Sequence, residues 1–437
     1  MPQVTAAEVY EKSKVKVLEW RQKWYDLEQP TKEKILKIAA VVCFILALFC
    51  IIGHVATNNK KATISRTNVV LFMEVNPEDL MALRYVLKRS DLRVMAIVLA
   101  MNAWSQNLWT QQQTIASLLS LMSSEGSVGA AQIPVYYGTH LATRNQDFDQ
   151  VLDLQTGKPS TAVSCSYRRI WPPTFEAQTE MLYGVDNQLS LLFNGYSTTL
   201  SYFDAPLATL LASRSDHSVA ALCLSSLTDI VAFWQNHSEL RSKWSQFIAS
   251  GGSFGIKASG GDVQQVYSPN KVAEYNFFFD PRAANTVLAT IASSVPVVVV
   301  TYDAAVDASY TAALYQTLVT GVAATVQTAN TSKGFVAAAL KQKRDAVFAL
   351  GNLQSADLSA PQDLVAVAIF AHAALQSAAT LGSAPLSVVH DVSNSADGKV
   401  FQSTAAGTPS STYVLGMNSA LLWNHIQAVE ALPYPTS

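Results

Sequence analysis

Val69-Val70-Leu71-Phe72, Glu74-Val75-Asn76-Pro77-Glu78-Asp79 and Leu80-Met81-Ala82-Leu83 follow one another almost without interruption. The first is a β-branched apolar run of strand type, the second an acidic cluster broken by proline, and the third opens a stretch of helical character over Pro77–Leu87. Val94–Leu99 repeats the strand pattern, and Trp109–Met122 repeats the helical one. Further strand candidates are Leu189–Phe193, Val219–Leu224, Phe277–Phe279 and the wholly apolar Val295–Val300. Strands alternating with helices of this size predict an α/β fold, a mostly parallel sheet flanked by helices. In such sheets chemistry collects at the carboxyl ends of the strands, which is where Glu74, Glu78 and Asp79 stand.

The chain has 437 residues, a net charge of −2, 49% hydrophobic residues and 14% charged residues. An ordinary domain carries about 25% charged residues. The apolar content excludes disorder, and the neutral balance without a basic stripe argues against a nucleic-acid partner. Residues 1–37 hold eight Lys/Arg and six Asp/Glu. The rest of the chain is therefore charge-poor, at roughly 12%. Four cysteines are too few for a disulfide framework: Cys43 and Cys50 lie in an apolar run, and nothing pairs Cys165 with Cys223.

That apolar run, Ile38–Val55, has no formal charge. As a helix it covers about 27 Å, enough to cross a hydrocarbon core. Ahead of it Thr5 and Glu8 have capping-box spacing, and Tyr10, Val17, Trp20, Trp24 and Leu27 recur near helical spacing until Pro30. The expected organisation is an amphipathic N-terminal helix over residues 1–30, a transmembrane helix over 31–57, a linker over 58–67 and the large domain over 68–437.

Several stretches of that domain resemble the nucleoside hydrolase family. Its first strand ends in Asp-x-Asp-Pro-Gly-x-Asp-Asp, which Glu74–Asp79 resembles in placement. Ile133-Pro134-Val135-Tyr136-Tyr137-Gly138, Ser225-Ser226-Leu227-Thr228-Asp229 and Ser250-Gly251-Gly252-Ser253-Phe254 follow in the family's order. Ala273-Glu274-Tyr275-Asn276 with Asp280-Pro281-Arg282-Ala283-Ala284 is the most specific match, and Gln362-Asp363-Leu364-Val365-Ala366-Val367-Ala368 closes the series. The resemblance implies hydrolysis of the N-glycosidic bond of ribonucleosides with Ca²⁺. By motif, the metal ligands would be Glu74, Asp79, the Thr228 backbone carbonyl and Asp363, with Glu74 doubling as base and Glu78, Glu274 and Asn276 on the ribose.

The motif is altered at several points. Phe72 replaces an acid, Val75 and Asn76 replace the Pro and Gly that pre-set a tight turn, and Glu74 is one methylene longer than Asp. Gln362 stands where a His would protonate the leaving base, and an amide is no general acid. Asn102 lies near a family Gly-Asn whose flanks are changed, and residues 139–188 are unrelated to the family loop. These departures predict a relic site without a cofactor, its acids solvated or salt-bridged, in which Glu74, Glu78, Asp79, Thr228, Glu274, Asn276 and Asp363 no longer work.

With the span and the low charge, the expectation is a non-catalytic accessory or scaffold subunit anchored by a single pass in the mitochondrial inner membrane. Its arrangement resembles the lineage-specific subunits of euglenozoan ATP synthases, which would make other subunits and the lipid bilayer its partners. The alternative is a membrane-tethered, Ca²⁺-dependent nucleoside N-ribohydrolase working through Glu74 and Asp79. A third possibility is a non-catalytic binder of nucleosides or sugars through Glu274 and Asn276.

Overall fold

The computed structural model describes residues 66–100, 108–138, 202–255, 272–309, 311–320, 329–349, 360–391 and 396–435, together with Thr31. The chain divides into Met1–Ser65 and Arg66–Ser437. The amphipathic helix of residues 1–30 and the span Ile38–Val55 lie outside the described residues, as do Asn102, the stretch 139–188 and the strand expected over Leu189–Phe193. Among the described residues no helix is long and apolar enough to cross a membrane.

In chain order the strands are β1 (Thr67–Met73), β2 (Leu92–Leu99), β3 (Val135–Tyr137), β4 (Val219–Cys223), β5 (Trp244–Ser250), β6 (Val297–Val300), β7 (Thr380–Val388), β8 (Val400–Gln402) and β9 (Ser410–Gly416). They form one sheet in the order β3-β2-β1-β4-β5-β6-β9-β7-β8. From β3 through β9 each neighbouring pair is parallel, and β7 and β8 extend the edge antiparallel. The helices are α1 (Pro77–Lys88), α2 (Leu108–Ser124), α3 (Asp204–Ala212), α4 (Thr228–Asn236), α5 (Tyr275–Phe279), α6 (Pro281–Ala289), α7 (Tyr302–Asp307), α8 (Ala312–Val319), α9 (Ser332–Ala349), α10 (Gln362–Ala371), α11 (Ala373–Ala378) and α12 (Ser419–Ala431).

The apolar runs of β1, β4 and β6 are central strands that need a hydrophobic layer on both faces. Alternation along β1 sorts its side chains accordingly. Val69, Leu71 and Met73 pack with Leu83, Leu118, Val365 and Ile426 of α1, α2, α10 and α12. Val70 and Phe72 pack on the other face with Phe203, Phe233, Trp244 and Phe247. Phe72 sits edge-on to Phe203 at 6.2 Å between ring centroids, so it belongs to the core.

Two expectations need correction. Phe277–Phe279 is helical, part of α5, because the Glu274 carboxylate caps the backbone N–H groups of Asn276 and Phe277 and commits the aromatic run to a turn. β5 carries no recognisable strand pattern, since Ser245 and Gln246 interrupt its apolar residues. Pairing with β4 and β6 on either side makes it a strand.

Candidate active site

β1 delivers Glu74 at its carboxyl end, and a capping box organises the turn that follows. Asn76 is the N-cap of α1: its Oδ1 accepts from the Asp79 backbone N–H at 2.9 Å. Asp79 Oδ2 in return accepts the backbone N–H groups of Asn76 at 3.2 Å and Glu74 at 3.0 Å. Pro77 fills a first-turn position where no N–H is required, and Glu78 and Asp79 place negative charge at the positive end of the helix. The turn expected to be unset is therefore set by side chains. One residue carries the strain: Val75 has φ of 64°, a left-handed conformation that a β-branched side chain resists. Such residues cost on the order of 1–3 kcal/mol and cluster at functional sites.

From this turn a run of hydrogen bonds crosses the carboxyl ends of the strands. Asn76 Nδ2 donates to Glu74 Oε1 at 3.0 Å and to Asp363 Oδ2 at 3.1 Å. The other Asp363 oxygen accepts from Ser250 Oγ at 2.7 Å. Asn276 Nδ2 donates to the Ser250 carbonyl at 2.9 Å. Glu274 then accepts from the backbone N–H groups of Gly252 at 2.8 Å, Asn276 at 2.9 Å and Phe277 at 3.3 Å. Gly252 reaches Glu274 from a positive φ of 74°, which suits glycine. Glu74, Asp79, Asp363, Glu274 and Asn276 are thus brought together from β1, α1, α10 and α5.

Of the two states expected for a relic, solvated or salt-bridged, burial sets aside the first. Glu74 is 4% exposed, Asp79 0%, Asp363 5% and Glu274 6%. Burial pushes Asp79 well above the usual carboxylate range, and the charges of Asp363 and Glu74 push it further; backbone N–H donors only partly oppose this. Burial likewise raises Glu274 to about 7 against the pull of its three backbone donors. Asp79 Oδ1 and Asn276 Oδ1 are buried without a hydrogen-bond partner. Unsatisfied buried acceptors are uncommon and call for an explanation.

A hard dication would satisfy them. Ca²⁺ takes six to eight oxygen ligands, and Glu74, Asp79 and Asp363 supply carboxylate oxygens around an acceptor that lacks a partner. The donor chemistry fits. Among the described residues, however, no three His, Cys, Asp or Glu side chains stand close enough to share a metal ion. The Asn76 amide lies between two of the candidate ligands.

The other candidate residues are more dispersed. Glu78 is buried in the first turn of α1. Thr228 opens α4, and its hydroxyl donates to Asp280 Oδ2 at 2.7 Å and lies 3.3 Å from Ser226 Oγ, so its side chain serves the start of α6. Gln362 commits its Nε2 to the Val300 carbonyl at 3.0 Å. Two contributors escaped the sequence reading. Asn-Pro-x-Asp is a recognisable helix start that shows Asn76 to be a cap. Ser250 offered no signal, because its partner Asp363 lies 113 positions away.

A family model described as "inosine-uridine preferring nucleoside hydrolase" matches residues 69–424. No curated protein matches the sequence. Among solved structures, a plant nucleoside hydrolase is 16% identical with a TM-score of 0.52 and covers 84% of this chain and 99% of its own. An inosine-guanosine nucleoside hydrolase is 14% identical with a TM-score of 0.58 over 84% of this chain and 99% of its own. A purine-preferring ribonucleoside hydrolase from Gardnerella vaginalis is 16% identical with a TM-score of 0.52, again over 84% and 99%.

Proposed function

Since this chain belongs to the inosine-uridine preferring nucleoside hydrolase family, we propose that its strand-end site hydrolyses the N-glycosidic bond of ribonucleosides. The observation that carries this is the burial of Glu74, Asp79, Asp363 and Glu274 together, with one Asp79 oxygen left without a partner. Buried carboxylates cost several kcal/mol unless something compensates them, so a site free to drift would be expected to lose or solvate them.

The roles follow from placement. Glu74, at the end of β1, takes the proton of the attacking water. Asp79 and Asp363, with Glu74, would hold Ca²⁺, which supplies a positive charge to orient the water and the ribose diol. Asn276, with a free Oδ1, accepts from a ribose hydroxyl. Glu274 orders the Gly252 loop through the N–H groups it already caps. Gln362 gives the departing base no proton, so nucleosides whose base leaves readily without protonation are the better substrates.

Hydrolysis of inosine and uridine by the full-length protein, with Ca²⁺ and with chelator, is the test. Metal-dependent turnover abolished by Asp79→Asn is expected. Turnover that is absent, or unchanged in Asp79→Asn, rejects the reading.

A second reading rests on different observations. The Asn76 amide bridging Glu74 and Asp363, and Gln362 tied to Val300, favour a degenerate, non-catalytic domain. With the uncharged run Ile38–Val55, that domain would be an anchored accessory subunit of a mitochondrial inner-membrane assembly of ATP synthase type. Co-purification with a membrane complex in mild detergent supports it, and a lone monomer in that experiment counts against it. Membrane anchoring is compatible with either reading.

A further inference from the structure

Asn76 performs two tasks with one side chain. Its Oδ1 faces the Asp79 backbone N–H, which can only donate, and its Nδ2 faces Glu74 and Asp363. The orientation of the amide is therefore set by its partners, because the reverse would put its oxygen against two carboxylates. Both Nδ2 protons are used, one on each acid. The amide consequently does, as a neutral group, what a cation would do between the same two oxygens. Capping α1 also tethers it there, at high effective concentration, so a cation meets a competitor that never leaves the site.

We propose that the Asn76 carboxamide is a built-in competitor for the cation: it holds Glu74 and Asp363 together, and Ca²⁺ binds only as that amide withdraws. The inference rests on the hydrolase reading for the identity of the cation. It adds a determinant of metal affinity in this chain that the candidate ligands themselves do not contain. The physical consequence is a site that keeps its fold without metal and loads only at elevated Ca²⁺.

The experiment is calorimetric titration of Ca²⁺ into purified full-length protein, wild type beside Asn76→Gly and Asn76→Ser, with melting temperatures in Ca²⁺ and in chelator. Glycine and serine are both accepted at helix N-caps, and neither places an amide between the acids. Serine keeps the design informative if the glycine variant does not fold. Both variants should bind Ca²⁺ about tenfold to a hundredfold more tightly than wild type, the fold-change that corresponds to one hydrogen bond to a charged group that the cation no longer has to displace. Ca²⁺ should also raise their melting temperature more than it raises that of wild type. Equal affinity in all three proteins, or no Ca²⁺ binding in any of them, overturns the proposal. Failure of the hydrolase reading looks different: Ca²⁺ would bind as expected while inosine and uridine stayed intact.

Discussion

Helix α1 ends in two opposite electrostatic environments. At its N-terminus the charges facing buried Asp79 are Asp363 and Glu74, both acids. At its C-terminus Arg84 pairs with Glu430 and donates to Ser332 Oγ at 2.9 Å, and Ser332 and Tyr434 both donate to Glu125. Lys88 donates to the Leu432 carbonyl at 2.6 Å and lies over the Tyr434 ring. Arg89 grips Asp91 and reaches the Ala371 carbonyl. One end pairs opposite charges and fastens α12 to the core, whereas the other sets two acids against Asp79 and leaves Asp79 Oδ1 without a hydrogen-bond partner. Buried groups that exist for stability are compensated, and those kept in spite of stability are candidates for function.

The contrast can be broken most directly at Arg84. Arg84→Ala leaves Glu430 and Glu125 without their buried cation and should cost about 3–5 kcal/mol by denaturant unfolding. A loss below about 1 kcal/mol would show that the C-terminal end is not the fastening it looks like.

The two ends should also respond oppositely to pH. Glu274, on the acidic side, is raised from 4.5 to about 7, so its contribution is fully present below pH 4.5 and is lost as pH rises through 7. That loss is about 3 kcal/mol. His425 donates or accepts at Tyr85 Oη, and its ring lies tilted against that of His372 with centroids 3.8 Å apart. Burial, then the nearby His372 and Arg89, depress it from 6.5 to about 4. Its contribution is present above pH 6.5 and is lost as pH falls through 4. Melting temperature should therefore peak between these limits, with Glu274→Gln flattening the alkaline limb and His425→Phe the acid limb. A profile unaltered by either change would remove the distinction.

Restoring a proton donor sharpens the functional side. Gln362→His should raise turnover of inosine on the order of 100-fold, the scale of general acid catalysis. Steady-state kinetics should show this in kcat rather than KM. The smallest effect concerns stability at the acidic end: Asp79→Asn relieves repulsion from Asp363 and Glu74 and should stabilise the fold by about 1 kcal/mol at pH 7 while abolishing turnover. A destabilised Asp79→Asn would mean that the capping box outweighs the repulsion.

The sequence by itself determined the α/β class, β1, β2, β4, β6 and α1, because buried parallel strands are written as uninterrupted β-branched runs and α1 opens with a proline and acids. It also brought forward nearly every candidate acid, since each follows a strand or opens a helix. What only the tertiary structure decided was their state. Whether Glu74 and Asp363 are solvated, salt-bridged or sealed by an amide depends on Asn76 meeting Asp363, 287 positions away, and local pattern carries no record of such a meeting. β5, with its polar interruptions, became a strand through its neighbours, and Phe277–Phe279 became a helix through a single cap. Short-range propensity is weak at such points, and burial against distant partners outweighs it.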